Sequence, residues 1–162
     1  MSKVFKRRLI REKVLQVLYA YEMNNDNLQS QIDEIFSNVD EDNDKQFGLT
    51  LIYKVIPNRD KFDELIKNKV NNWEMDRIAL IDKILIRMGI CELLFFEDIP
   101  PKVSINEVIE ISKKFSTAGS AKFINGVLDA ILNDFKKSGE LKKTGRGLVD
   151  ETISKKTPKK SE

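Results

Sequence analysis

From Ile10 to Phe135 the apolar residues return every three or four positions, and no stretch alternates with period two for long enough to make a strand. This spacing lines apolar side chains along one face of an α-helix, and such a face must be buried against another helix. Ile10, Val14, Val17, Leu18 and Tyr21 form the first face, and Leu28, Ile32, Ile35, Phe36 and Val39 the second. The acidic run Asp40-Glu41-Asp42-Asn43-Asp44 reads as a solvated loop. A third helix carries Phe47, Leu51, Ile52, Val55 and Ile56 and stops at Pro57, which has no N–H to continue the ladder. Asp60 suits the N-cap of a fourth, with Phe62, Leu65, Ile66 and Val70 on its inner face.

The chain turns around Trp73, and Asp76 to about Phe96 is the longest periodic stretch, ended by Pro100-Pro101. Ser104 and Glu107 have the spacing of a capping box, which predicts a short helix from there to about Phe115. Ser116 to Ser120 is a turn, and Ser120 suits the cap of a last helix through about Phe135. About seven helices joined by short loops imply an all-α fold of two small bundles. The expected division is an N-terminal subdomain over 1–72 and a C-terminal one over 73–137. After Phe135 glycine and lysine replace the apolar pattern, so residues 138–162 are expected to be a flexible basic tail.

Composition closes off much chemistry. The chain has no histidine, which removes Ser-His and Cys-His dyads, imidazole proton shuttles and most catalytic zinc sites. The single cysteine, Cys91, lies inside an apolar helical pattern and reads as a buried, inert thiol. No glycine-rich phosphate loop is present, and no acidic pair has a spacing that singles it out. No enzyme activity, catalytic residue, metal or cofactor is expected. Neither an apolar run of membrane-spanning length nor a signal peptide is visible, so a cytoplasmic protein is expected.

The net charge of +2 hides an asymmetry. Residues 1–13 hold six Lys or Arg and one acid, and residues 136–162 hold nine against four. An acidic body with two basic ends would draw a polyanion to the ends. Lys3, Arg7 and Arg11 fall four apart along one helix face, with Arg8 about a quarter turn away. Guanidinium groups fork onto phosphate and stack on bases, which suits single-stranded RNA; a solvated helix start is the plain alternative. Tyr19 and Phe123 suit either base stacking or the core. Asn125 suits a base, a phosphate or a neighbouring carbonyl. Gly126 costs about 1 kcal/mol in a helix interior, and close packing of two helices would account for it. Arg87 and Glu92, on a largely apolar helix, read as members of an interhelical ionic network.

Three blocks in order resemble the NusB family of bacterial transcription antitermination factors. They are Arg7-Arg8-x-x-Arg11-Glu12 with Gln16-x-Leu18-Tyr19; Asp82-Lys83-Ile84-Leu85-Ile86-Arg87 leading to Glu92-Leu93; and Asp98-Ile99-Pro100 through Asn125-Gly126-Val127-Leu128-Asp129. The resemblance covers about residues 4–135, and residues 24–72 share only the helical pattern. It implies an all-helical RNA-binding fold and binding to boxA RNA together with the ribosomal protein NusE. It further implies an antitermination complex with RNA polymerase and other Nus factors, active notably in ribosomal RNA operons. Carried onto this chain, Arg7, Arg8 and Arg11 become RNA contacts. Tyr19, Lys122, Phe123 and Asn125 form the adjoining RNA surface, and Asp82 falls on a helix offered to NusE. Leu9 and Ile10 interrupt the arginine run, which lowers the expected RNA affinity or shares it with the tail. Two other readings remain: an RNA-binding module acting with a separate ribosomal RNA methyltransferase, and a helical adaptor that binds protein alone.

Overall fold

The computed structural model describes residues 3–25 and 27–149, excluding the side chains of residues 3–5, 72 and 73. The described residues form eight α-helices and no strand. They are α1 (Lys3–Asn24), α2 (Leu28–Ile35), α3 (Asp42–Val55), α4 (Arg59–Lys67), α5 (Asn72–Arg77), α6 (Leu80–Phe95), α7 (Pro101–Phe115) and α8 (Ala118–Ser138), followed by a 3-10 turn at Gly145–Leu148. The all-helical expectation holds.

Several helix ends differ from their sequence reading, each for a local reason. The acidic run is not all loop: Asp42 and Asp44 lie in the first turn of α3, where carboxylates favour the positive end of the helix dipole. Asn58 stands at the N-cap of α4, so Asp60 lies inside the first turn. The capping box is at Asn71 and Glu74, opening α5. Ser104 and Glu107 are not a cap at all. Pro101 takes the first position of α7, where its missing N–H costs nothing, and this moves Ser104 and Glu107 to the buried side of the helix. Thr117, not Ser120, caps α8 through a bond from the Ser120 N–H of 3.1 Å.

α6 is the centre of the molecule. Every residue from Ile84 to Leu93 is buried, which explains its near-continuous apolar sequence. α1, α3, α4, α7 and α8 all pack on it. One apolar cluster runs from Ile10 on α1, through Leu51, Phe62 and Leu85, to Phe135 on α8, so the two halves share a core.

The segment after α8 also departs from expectation as far as Val149. Leu141 packs against the core and its N–H donates to the Phe135 carbonyl at 3.3 Å. The Lys143 ammonium donates to the carbonyls of Glu92 (3.1 Å) and Phe96 (2.7 Å), capping the C-terminal end of α6. The Thr144 N–H donates to the Glu97 carbonyl at 3.0 Å. Gly147 lies so close to that carbonyl that a Cβ would overlap it. Composition overlooked this strap because its hold is backbone and ammonium bonding rather than apolar periodicity. Residues 150–162 of the expected tail lie outside the described residues.

Candidate nucleic-acid interface

The three N-terminal arginines meet three different polar surroundings. Arg11 points inward and is 2% exposed. Its Nε and Nη2 donate to Glu92 at 2.9 and 2.7 Å, and Ser104 Oγ donates to the same carboxylate at 2.9 Å. Burial works against the charged guanidinium, but Glu92 and then Glu107 outweigh it and hold Arg11 above its ordinary pKa. Arg11 is thus a buried structural ion, not a surface contact, which corrects its expected RNA role. Its place was legible in the pattern: it lies three, four and seven residues before Val14, Leu15 and Leu18, all of them buried.

Arg8 turns toward α7. Its Nε and Nη2 donate to Glu107 at 2.8 and 3.0 Å, a bidentate pair that raises the Arg8 pKa. The side chain remains 32% exposed. Glu107 also lies 3.9 Å from Arg11 Nη1, so it links the outer arginine to the inner one. One turn further along, Lys114 reaches Glu12 at 3.1 Å and adds a second tie between α1 and α7.

Arg7 turns toward α3, where it shares the Phe47 ring with Arg11 (Cζ 5.1 Å from the centroid), but its polar surroundings differ from those of both other arginines. Its guanidinium lies over the Phe47 ring with Cζ 4.5 Å from the centroid. Among the described residues it has no carboxylate partner, and its Nε is buried without a hydrogen bond. It lines an open cavity of about 490 Å³ with Lys6, Asn43, Gln46, Thr50, Phe96 and Asp98. Lys6, on the rim, pairs with Glu41 at 2.8 Å.

The other expected residues are divided between two places. Tyr19 is 39% exposed on α1, in line with Gln16 and Met23, which are also exposed. Lys122, Asn125 and Gly126 form an exposed strip on α8, while Phe123 is half-buried. Gly126 has nothing within 4 Å of a Cβ placed on it, so tight helix packing does not account for it. Nor does α8 lie directly beside the arginines, since α7 packs against both α1 and α8. Asp82 is 6% exposed. Its Oδ2 accepts from Ser120 Oγ at 2.7 Å and its Oδ1 has no partner. It sits in the wall of a second cavity, about 500 Å³, with Ile78, Ala79, Thr117, Gly119 and Phe123.

The buried acids were the main omission from the sequence reading of the site. Sequence marks Glu92 as a network residue but not Arg11 as its partner, and the spacing of Glu107 is that of a cap. The Arg87 expectation matches: Arg87 is buried and bidentate to Asp63 at 2.7 and 2.9 Å. Cys91 is buried too, and burial pushes its thiol pKa up, consistent with an inert role.

This geometry meets a family model, the NusB family, matched over residues 8–133. The chain belongs to the NusB family. Among the NusB relatives is the transcription antitermination protein NusB of Chloroherpeton thalassium, 46% identical over 149 residues, covering 91% of this chain and 71% of the relative. The protein of the same name from Salinibacter ruber is 43% identical over 145 residues, covering 88% and 91%. Among solved structures, T. maritima NusB superposes with a TM-score of 0.73 at 33% identity, over 78% of this chain and 90% of that one. A structure of antitermination factors NusB and NusE in complex with dsRNA has a TM-score of 0.72 at 22% identity, over 80% and 97%, and supports the NusB fold.

Proposed function

We propose that this chain is a transcription antitermination factor. It binds boxA-type single-stranded RNA together with the ribosomal protein NusE and promotes read-through by RNA polymerase, notably in ribosomal RNA operons. The activity is binding in the cytoplasm, with no bond made or broken. The identity of 46% and 43% to proteins named for antitermination supports the class of function. The observation that carries the RNA site is Arg7: of the three arginines, it alone lacks a carboxylate among the described residues. Its ring platform orients the guanidinium plane in advance, so less freedom is lost when it binds RNA.

In this reading Arg7 is the principal arginine contact, and Arg8 contributes the N–H groups that Glu107 leaves free. Tyr19, Lys122, Phe123 and Asn125 contribute stacking and polar contacts from α1 and α8. Arg11 supports them from inside. Asp82 serves the protein partner: its unpaired Oδ1 needs a donor, and the cavity beside it has apolar walls from Ile78 and Phe123. An adaptor that binds protein alone is favoured by one fact, the internal pairing of Lys6, Arg8, Arg11 and Lys114.

Titrating boxA-like RNA at two salt concentrations, with and without NusE, separates the two. Arg7→Ala should weaken binding and lower the log–log salt slope by about 0.7, the value for one phosphate contact on a single strand. RNA affinity at background under both conditions would leave the protein-only adaptor.

A further inference from the structure

The strap after α8 lies beyond the family match, which ends at residue 133, and none of the contacts described so far gives it a role in binding. Its bonds converge on one place. Lys143 donates to the carbonyls of Glu92 and Phe96, Thr144 donates to Glu97, and Gly147 closes on the Glu97 carbonyl. These bonds hold the backbone at the corner between α6 and α7, where Phe96 ends α6 with non-helical dihedral angles (φ −110°, ψ 81°). The backbone at Phe96 aims its ring, which meets Phe47 edge-on, with centroids 5.5 Å apart and planes at 71°. The same Phe47 ring lies beneath two guanidinium groups, that of Arg7 with Cζ 4.5 Å from the centroid and that of the buried Arg11 at 5.1 Å, and of the two only Arg7 lines the open cavity. Strap, corner, Phe96, Phe47 and Arg7 therefore form one continuous packed series.

We propose that residues 141–147 are a positioning element for Arg7, acting through the Phe96–Phe47 ring pair and not through contact with RNA of their own. This rests on the reading of Arg7 as an RNA contact. The chemistry at the strap suits the task. A lysine on helix-terminal carbonyls and a glycine against a carbonyl fix backbone position directly, whereas a greasy contact would allow sliding. The corner they fix also supplies Phe96 and Asp98 to the wall of the Arg7 cavity. Loosening it changes both the platform beneath Arg7 and the width of the cavity beside it.

The test uses the full chain with Lys143→Met, which keeps the stem and removes both carbonyl bonds, and Gly147→Val, which places a Cβ against Glu97. The first is the milder change and serves if the second misfolds. Two readouts are taken. The Arg7 Nε–H resonance, shifted by the Phe47 ring current, should move toward the position of a free arginine in either variant. RNA affinity should fall about three- to tenfold, the range for a coupling through packed side chains, with an unchanged salt slope. In an Arg7→Ala background Lys143→Met should cause no further loss. An unmoved Arg7 resonance overturns the coupling. An additive loss with a reduced salt slope also overturns the proposal, because Lys143 would then touch RNA itself. A moved resonance with unaltered RNA affinity, in these variants and in Arg7→Ala alike, removes the RNA role of Arg7 and the function of the strap with it.

Discussion

Arg11→Met offers the sharpest separation of structure from recognition. In the folded chain the Glu92 carboxylate is fully buried and receives three hydrogen bonds from side chains, two from Arg11 and one from Ser104. Removing the guanidinium leaves an ionised carboxylate with a single hydroxyl in an apolar core, which costs about 3–5 kcal/mol. For a chain of this size each kcal/mol moves the melting temperature by roughly 2–4 °C, so the expected fall is about 6–20 °C. Arg8→Met removes a guanidinium that water already reaches but leaves the buried Glu107 carboxylate with only Arg11 nearby, at 3.9 Å, so the expected cost is about 1–3 kcal/mol, below that of Arg11→Met. The double variant Arg11→Met with Glu92→Met removes both charges and should be less damaging than the sum of its parts. Calorimetry gives the stabilities, and an RNA titration against salt gives the slopes. Arg11→Met protein kept below its own transition should retain the parent slope. A melting temperature within about 2 °C of the parent, with a slope lower by about 0.7, would refute the burial argument and place Arg11 on the RNA.

The remaining expectations concern α8 and the strap. Gly126→Ala should stabilise the chain by about 0.4–1 kcal/mol, because a helical glycine with open space gains rigidity and loses nothing. A calorimetric fall in stability would mean that something folds against that strip. If the strip touches RNA, the same variant loses affinity while its melting temperature rises. Burial lowers the Lys143 ammonium from 10.5 to about 8, against the pull of Glu92, Asp98 and Glu97. The docked strap therefore binds that proton less tightly than a released one. Its docking is weakest below about pH 8 and strengthens as pH rises from there toward 10.5. NMR titration of the Lys143 ε-methylene should show a midpoint near 8 in the parent and a return toward 10.5 in Gly147→Val. Equal midpoints would show that the strap is not held by Gly147.

The sequence by itself determined the class of fold and most of its inward faces. Ile10, Val14, Ile32, Leu51, Ile52, Phe62 and Ile66 all face inward by period and all are buried. Period is a local property: side chains three or four apart share a helix face whatever the neighbours are. The same logic, applied more strictly, would have turned Arg11 inward, since it shares a face with Val14, Leu15 and Leu18. Local pattern does not predict its partner, because a buried arginine requires a distant carboxylate, and Glu92 lies 81 residues away.

Which polar groups are spent inside and which stay free was decided only by the tertiary structure. Glu107 had the spacing of a cap, but Pro101 started α7 early and the carboxylate met Arg8 from 99 residues away. Gly126 looked like a packing glycine and stands in the open, while Gly147, in a stretch expected to be unpacked, meets a carbonyl. An ion pair or a close backbone approach needs two partners, and local pattern specifies only one of them. Arg7 summarises the difference. Its residue type and its place at the start of α1 are sequence, but its freedom from a carboxylate follows from where α3, α6 and α7 put theirs.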